Sequence, residues 1–253
     1  MTLIDRFSLE GRVALVTGGR QGLGYEIARG FMDAGATVII TGRNEARLDE
    51  ACKALGHRAS YAAFDIADAP ARRAALDAIY EKHGKLDILV NNVGARDRRS
   101  LDVFTDDEIA SFIDTDLLAA VSLSRDVARA MKAQGHGRLI FLTSVLGRMP
   151  LPGDNLYPVA KQGLEGLARA LAVEYGSFGI TSNAIAPGMF ATETNAHLAR
   201  DPDMQQFTAM RVPLQRWGNP EEIAGAALLL ASDAGSFING HTLTVDGGHS
   251  IRM

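Results

Sequence analysis

Short apolar runs alternate with longer amphipathic stretches along almost the whole chain. The first run, residues 12–17 (RVALVT), is rich in β-branched residues and bounded by glycines, which is typical of a buried strand. Leu23, Ile27 and Phe31 then recur at four-residue spacing, as on one face of a helix, and Gly35 follows as a helix stop. Because parallel strands need a crossover connection, repeated strand–helix–strand order predicts a parallel sheet with helices on both faces.

The remaining elements follow the same alternation. Further strands are predicted at residues 37–40, 60–64, 86–90, 138–142, 180–185 and 243–245. Longer helices are predicted at residues 69–83, 106–134, 156–178 and 220–232. We therefore expect one α/β domain over residues 1–253, a doubly wound parallel sheet of the Rossmann type. Residues 188–212 form the longest stretch without a clear pattern, and we expect them to be a substrate lid.

Composition and charge exclude several classes of function. The 253 residues carry a net charge of −4, which offers no general attraction to nucleic acid. The chain has no apolar run long enough for a membrane span and no signal-peptide pattern at its N-terminus. A single cysteine, Cys52, cannot form an intramolecular disulfide, and we expect a cytoplasmic protein. The six histidines lack metal-binding spacing, so no catalytic metal is expected.

A glycine-rich segment, residues 17–24 (TGGRQGLG), joins the first predicted strand to the first predicted helix. Glycines permit a tight turn and a close approach of the backbone to a pyrophosphate. The helix N-terminus behind them offers free N–H groups and the positive end of the helix dipole. Such a turn can also be an ordinary connection, but the strand before it and the helix after it favour a dinucleotide site. The candidate cofactor-binding residues here are Gly18, Arg20, Gln21, Gly22, Leu23 and Gly24.

The spacing TGxxxGxG differs from the usual dinucleotide fingerprint and resembles that of the short-chain dehydrogenase/reductase family. Other motifs of this family follow in the right order and reach residue 248. They are the NNVG segment at residues 91–94, the YxxxK pair Tyr157 and Lys161, Ser144 thirteen residues before that tyrosine, a loop with Pro187, Gly188 and Thr192, and VDGG at residues 245–248. The resemblance implies an oxidoreductase that moves a hydride between a nicotinamide and a secondary alcohol or ketone. It also implies cofactor contacts from Asp65, Ile66, Asn92, Gly94, Tyr157, Lys161, Pro187, Gly188 and Thr192.

The end of the second predicted strand favours NADP over NAD. An NAD enzyme usually places Asp or Glu there, to accept a hydrogen bond from the ribose 2′-hydroxyl. In this chain the position is Gly42, followed by Arg43. A guanidinium binds a 2′-phosphate that a carboxylate would repel, and Arg20 could add a second positive contact. Arg43 could instead be a solvated residue at the end of the strand, and Asp65 could be a turn aspartate with no role in cofactor binding. NAD remains the alternative cofactor.

The chemistry needs a base that takes the proton of the alcohol hydroxyl. The pKa of tyrosine is ordinarily ~10, and a nearby ammonium lowers it. Lys161 lies four residues after Tyr157 in a predicted helix, so both side chains project from one face. Ser144, at the end of the fifth predicted strand, can hydrogen-bond the substrate oxygen as charge develops on it. The resemblance implies that the lysine also holds the nicotinamide ribose.

One position departs from the family pattern. Asp116 falls where the family carries an asparagine, which is thought to hold a water that relays protons to the lysine. The main-chain carbonyl of an aspartate could do the same. We therefore count Asp116 as a fourth catalytic candidate, with the details of the relay open and the reaction class unchanged.

The loops expected at the carboxyl edge of the sheet bear on the substrate. The segments VIITGRNEARL, residues 94–104, PLQRWGNPEE and NGHTLTVDGG resemble the gluconate 5-dehydrogenase branch of the family. Arginine recognises carboxylates through two parallel hydrogen bonds. Arg98, together with Arg148, is therefore predicted to bind a sugar acid, while Ser144 holds the reacting oxygen.

Three readings of the function compete, and the first is an NADP-dependent oxidoreductase acting on a sugar acid or related polyol. The arginines after the NNVG segment, Arg96, Arg98 and Arg99, could be solvated loop residues. Leu146 and Met149 would instead suit an apolar pocket for a fatty, steroid-like or cyclic ketone. A nucleotide-sensing protein without catalysis is the third reading, and the intact serine, tyrosine and lysine argue against it.

The resemblance also implies a homo-oligomer, a tetramer paired through the predicted helices 106–134 and 156–178. The sequence adds an apolar stripe at helical spacing, which could equally face the core. Its members are Ala168, Leu171, Ala172 and Tyr175.

Overall fold

The computed structural model describes residues 2–252, which form one parallel sheet covered by helices on both faces. Its strands run in the order β3-β2-β1-β4-β5-β6-β7, and every neighbouring pair is parallel. They are β1 (Val13–Thr17), β2 (Thr37–Gly42), β3 (Ala59–Ala63), β4 (Ile88–Asn91), β5 (Gly137–Leu142), β6 (Ile180–Pro187) and β7 (Thr242–Val245). The prediction of a single, doubly wound α/β domain is confirmed.

The helices fill the crossovers between these strands. They are α1 (Gly22–Asp33), α2 (Glu45–Leu55), α3 (Ala69–His83), α4 (Asp106–Ile113), α5 (Ala119–Gln134), α6 (Leu156–Tyr175), α7 (Ala196–Arg200), α8 (Pro202–Arg211) and α9 (Glu222–Ala231). Within residues 2–252, no helix combines the length and the apolar character that crossing a membrane requires.

The central strand β1 is buried on both faces, because its alternate side chains belong to two different cores. Ala14 and Val16 pack with α1, α2 and α9, whereas Val13 and Leu15 pack with α3, α5 and α6. The chain adds β2 and β3 on one side of β1 and then returns to place β4 on the other. This reversal opens a crevice at the carboxyl ends of β1 and β4, where ligands bind in such sheets.

Two predicted helices are interrupted. The segment predicted as one helix over residues 106–134 contains a π-helical turn, Asp114–Leu118, between α4 and α5. The segment predicted over residues 156–178 is α-helical only to Tyr175 and ends in a 3₁₀ turn. Hydrophobic spacing follows the repeat of the helix, and it does not register one inserted residue or a tightened last turn.

The segment predicted as a substrate lid, residues 188–212, contains the two short helices α7 and α8. Asp201 ends α7 and caps α8, since its side chain accepts hydrogen bonds from the backbone N–H groups of Asp203 and Met204. The ring of Phe207 meets that of His249 edge-on, with ring centroids 6.0 Å apart. The segment is therefore packed against the C-terminal turn of the chain.

Candidate active site

The glycine-rich turn between β1 and α1 lies in the crevice and is held there by Asn92. Gly18 and Gly22 have positive φ angles of 64° and 60°, which favour glycine. Asn92 Nδ2 donates to the carbonyl oxygens of Thr17 and Gly18 at 2.9 and 3.3 Å. A Cβ on Gly24 would collide with the Asn92 amide. The side chain from the loop after β4 therefore shapes the turn, and only glycine fits beneath it.

A cavity of about 730 Å³ runs along this edge of the sheet. Most of the predicted cofactor residues line it. These are Gly18, Arg20, Gln21, Gly22, Leu23, Gly24, Arg43, Asp65, Ile66, Asn92, Gly94 and Thr192. Five other predicted site residues do not line the cavity: Ser144, Tyr157, Lys161, Pro187 and Gly188. Asp116 does line it. Sequence reasoning missed three further residues of the cavity wall: Phe64 at the end of a predicted strand, Ala95 directly after the NNVG segment, and Asn195 within residues 188–212.

The residues present fit an extended dinucleotide. The turn has no side chain between Gly22 and the cavity, and the N-terminus of α1, where Gly22 N donates to the Glu193 carboxylate, lies at the same wall. At the other end, a Cβ on Gly94 would come within 2.5 Å of Lys161 Nζ and 3.4 Å of Asp116 Oδ2. The absence of side chains at both places leaves the backbone open to close contact with a ligand.

The end of the cavity at β2 is positively charged. Arg43 is 82% exposed, and its guanidinium lies 3.8 Å from the Asp65 carboxylate. Exposed pairs of this kind contribute little energy, so this pair leaves Arg43 available to a phosphate. Arg20 lies on the same cavity wall, where its side chain hydrogen-bonds Gln21. The structure thus brings both arginines predicted for the 2′-phosphate to one cavity.

The fold brings Ser144, Tyr157 and Lys161 together. Ser144 follows β5 and is buried, and its Oγ accepts a hydrogen bond from Leu146 N at 3.2 Å. Tyr157 lies in the first turn of α6, and its hydroxyl oxygen lies beside the Ser144 side chain. Lys161 Nζ lies 5.5 Å from the centre of the tyrosine ring and donates to the Leu142 carbonyl at 3.1 Å.

The pKa of the tyrosine departs from the direction we expected. Burial raises the pKa of Tyr157, and the hydrogen bond from Ser144 and the charge of Arg96 oppose that rise. We expected Lys161 to lower it, but the lysine is itself buried and burial lowers its own pKa, against the charge of Asp116. The surrounding groups of the chain therefore favour the protonated phenol, the form that can donate a proton to a carbonyl oxygen.

Asp116 lies in the π-helical turn and is buried beside this group. Its two carboxylate oxygens both accept from Ala95 N, at 3.0 and 2.9 Å. Burial raises the pKa of Asp116, while Lys161 and the Ala95 hydrogen bond oppose that rise. The aspartate side chain thus holds the loop after β4 and supplies a negative charge near the lysine. π-Helical turns occur mostly at functional sites, as this one does.

The structure does not bring the two predicted substrate arginines to the cavity. Arg148 is paired with the buried carboxylate of Glu165, with NH2 to Oε2 at 2.6 Å, so the prediction for Arg148 is corrected. A buried carboxylate needs such a partner, and within residues 2–252 Arg148, unlike Arg96, makes no cation–π contact with the Tyr157 ring. Arg98 is exposed and lies outside the cavity wall, which its neighbours Asp97 and Arg99 form instead.

The lid segment reaches the glycine-rich turn. Gly22 N donates to Glu193 Oε2 at 3.1 Å, and the Thr192 side chain lies beside the same glycine. Gly188 follows β6 and packs against Asp246, since a Cβ there would lie 2.6 Å from the aspartate Cβ. A carboxylate from residues 188–212 therefore binds an N–H group at the N-terminus of α1, as the macrodipole favours.

The fold and this arrangement define an NAD(P)-dependent oxidoreductase of the Rossmann type, acting on a secondary alcohol or ketone. Its marks are a glycine cradle at the switch point of the sheet and a tyrosine with serine and lysine beside it. The chain belongs to the short-chain dehydrogenase/reductase family. Residues 18–250 match the branch of it described as enoyl-(acyl carrier protein) reductase.

Individual relatives cover 95% or more of this chain. Gluconate 5-dehydrogenase of Gluconobacter oxydans (strain 621H) is 37% identical over 252 residues, which cover 98% of each chain. The 3-oxoacyl-(acyl-carrier-protein) reductase of Vibrio harveyi is 38% identical over 241 residues, covering 95% of this chain and 98% of that protein. The crystal structure of a gluconate 5-dehydrogenase from Burkholderia cenocepacia J2315 in complex with NADP and tartrate superimposes with a TM-score of 0.93, at 37% identity and full coverage of both chains.

Proposed function

We propose that the protein interconverts a hydroxyl group and a ketone of a sugar acid of the gluconate type, with NADP(H) as its cofactor. The observation that carries the proposal is the convergence of Ser144, Tyr157 and Lys161 beside the cavity. The similarity to gluconate 5-dehydrogenases supports the substrate class. Gly42 in place of an acid, with Arg43 beside it, supports NADP.

The chain's own residues manage the proton. In the reducing direction the carbonyl carbon receives a hydride from the bound nicotinamide, and its oxygen takes a proton from the Tyr157 hydroxyl. Ser144 orients that oxygen, since its hydroxyl lies beside the phenol. Lys161 places a positive charge behind the ring, and Asp116 balances this charge in a buried region.

A substrate comparison tests the proposal. Oxidation of NADPH is followed with 5-keto-gluconate, with a neutral ketose of similar size, and with a 3-oxoacyl thioester. We expect 5-keto-gluconate to give the highest kcat/KM, and NADPH to be preferred to NADH. The Ser144→Ala protein provides the blank. A higher kcat/KM for the thioester would contradict the sugar-acid assignment and favour the reaction of the Vibrio harveyi relative.

We also propose that the protein is a cytoplasmic homotetramer. Large apolar side chains are exposed on the helices we expect to pair, Val159 at 58% and Val173 at 87% on α6, and Leu118 at 48% in the π-helical turn. Such side chains in contiguous patches mark contact surfaces. The single cysteine agrees with a reducing compartment. Light scattering at micromolar concentration and cell fractionation test these statements, and a monomer or an exported protein would contradict them.

We further propose that residues 188–212 act as a lid over the substrate. Two contacts support this proposal. Glu193 accepts a hydrogen bond from Gly22 N, and α8 packs against the C-terminal turn through Phe207 and His249. Hydrogen exchange of this segment should slow when NADP and tartrate are both added. Exchange that stays the same as in the free protein would show that the segment does not close.

A further inference from the structure

The guanidinium of Arg96 is clamped by a buried carboxylate. Arg96 lies in the loop after β4 and Asp154 in the segment before α6. Arg96 Nε donates to Asp154 Oδ1 at 2.6 Å, and NH2 donates to Oδ2. The side chain of Asp154 is 1% exposed, whereas that of Arg96 is 26% exposed. A buried carboxylate is tolerated as an ion only when it is paired, so the clamp holds one orientation of the guanidinium.

This orientation places a partly exposed positive charge beside the tyrosine. Arg96 Cζ lies 6.0 Å from the centre of the Tyr157 ring, and Tyr157 follows Asp154 by three residues. Lys161 lies closer to the ring, with Nζ 5.5 Å from its centre, but it is 3% exposed and bound to a carbonyl oxygen. The clamp uses Nε and one hydrogen of NH2. Within residues 2–252, the other N–H groups of Arg96 make no hydrogen bond.

The neighbouring arginines offer no equivalent group. Arg99 is bound to Asp97 and to Glu108, and its guanidinium lies 4.3 Å from the centre of the Phe104 ring. Arg98 is exposed, and ordering a free arginine side chain on a ligand costs rotamer entropy. Arg96 is already ordered by its clamp and still has donors to offer. Preorganisation of this kind raises affinity without new contacts.

We propose that Arg96, positioned by Asp154, binds a carboxylate of the substrate while Tyr157 serves the carbonyl, and so selects acids over neutral ketones. The inference rests on the proposed function and identifies the residue that binds the carboxylate of the substrate. The N–H groups that the clamp leaves on NH1 and NH2 can still make paired hydrogen bonds to a second carboxylate. Arg96 is thus the specificity-determining residue, and Asp154 is a positioning residue.

Tartrate, a small hydroxy diacid, is the probe. It is titrated by calorimetry into the NADP-loaded protein, as wild type and as Arg96→Gln, Arg96→Lys and Asp154→Asn. We expect binding to weaken about ten- to a hundredfold in Arg96→Gln, the loss expected for a charge-assisted contact. Arg96→Lys should recover only part of it, because an ammonium keeps the charge and loses the fork. Unchanged affinity in Arg96→Gln, or no tartrate binding by the wild type, would overturn the proposal.

Two further proteins guard against a merely structural effect. Arg96→Gln leaves Asp154 as an unpaired buried charge, which can impair folding. The double variant Arg96→Gln/Asp154→Asn removes both charges and should fold with the same loss of tartrate binding. Arg98→Gln, two residues along the same loop and without a carboxylate partner in residues 2–252, should bind tartrate as the wild type does. A loss in Arg98→Gln but not in the double variant would return the role to Arg98.

Turnover separates this inference from the proposed function. For 5-keto-gluconate, Arg96→Gln should raise KM about ten- to a hundredfold and change kcat little, while KM for a neutral ketose stays the same. Asp154→Asn should show the same split between KM and kcat, which a general loss of stability would not produce. If the wild type reduces neither compound, the proposed function fails, and the tartrate titration still decides the role of Arg96.

Discussion

In the proposed function, Tyr157 is the residue on which the chemistry depends. Replacement by phenylalanine removes the hydroxyl and leaves the ring and its packing in place. We expect Tyr157→Phe to lose about 10²- to 10⁴-fold in kcat, the usual contribution of a general acid or base, with NADP affinity unchanged. Steady-state kinetics and a fluorescence titration of NADP measure the two effects.

Lys161→Ala provides the contrast to that variant. Lys161 is 3% exposed and lies close to the glycine of the loop after β4, so its loss should damage turnover and cofactor binding together. A Tyr157→Phe protein that kept more than about a hundredth of the rate would remove the tyrosine from the acid–base role.

We expect Arg43 to determine the choice between the two dinucleotides. We expect Arg43→Gln to weaken NADP binding about tenfold and to leave NAD binding unchanged, because only NADP has a 2′-phosphate. This loss of affinity is at the low end of the range for charge-assisted hydrogen bonds, because Arg43 is 82% exposed and solvent screens its charge.

Arg47→Gln is the matched control for this prediction. Arg47 is exposed in the first turn of α2, four residues from Arg43, and it does not line the cavity. Its replacement alters the net charge equally and should leave both dissociation constants unchanged. Equal losses of NADP affinity in the two variants would indicate a general electrostatic effect instead of a contact with phosphate.

The π-helical turn between α4 and α5 places a single polar side chain, that of Asp116, in the buried region beside the site. One extra residue in the turn changes which side chains face inward from there on, and Asp116 is the residue that becomes buried. Its carboxylate then holds the backbone of Ala95, in the loop that also carries Arg96 and Gly94. The interruption therefore joins the helix layer to the loop that forms part of the site.

The junction of β1 and α1 depends on glycine at one position. A Cβ on Gly24 would press into the Asn92 amide that holds the turn, so we expect Gly24→Ala to weaken NADP binding about tenfold or more. Gly225→Ala is the control, since α9 has open space at that glycine. It should raise the free energy of unfolding by about 0.5–1 kcal/mol and leave NADP affinity unchanged. Chemical denaturation and cofactor titration measure both; a Gly24→Ala protein with normal affinity would exclude the tight junction.

The whole molecule carries a second group of charges at the amino edge of the sheet, away from the cavity. Arg12 lies 3.3 Å from Asp87, and Arg138 lies 3.3 Å from Asp233, with His136 beside them. Burial and then the charges of the two arginines lower the pKa of His136 from 6.5 to about 4. This group lies at the opposite end of the strands from the active site. We therefore expect it to affect the stability of the fold and not the reaction.

The depressed pKa of His136 predicts a pH dependence of stability. Between pH 6.5 and about 4 the unfolded chain binds a proton there that the folded protein does not, so stability falls as the pH falls. His136→Gln should reduce that slope by at most about 1.4 kcal/mol per pH unit. Urea unfolding at several pH values gives the slope. His57→Gln, at an exposed histidine, should keep the slope of the wild type, and an unchanged slope in His136→Gln would contradict the prediction.

The sequence by itself determined the architecture and the reaction class. Runs such as residues 12–17 are apolar throughout because β1 is buried on both faces, and this signal is local. The motifs from residue 17 to residue 248 were sufficient for the family and for Ser144, Tyr157 and Lys161, since each motif is contiguous or has a set spacing. The residues that line the cavity at the glycine-rich turn were predictable for the same reason.

Only the tertiary structure decided which charges are available. Arg96, Arg98 and Arg148 look alike in the sequence, yet one is clamped beside the tyrosine, one is exposed, and one is committed to Glu165. Their partners lie 58 and 17 residues away for the two that are paired, and nothing in the local pattern specifies such pairs. The availability of a charged group depends on burial and on distant partners, which exist only when the chain is folded.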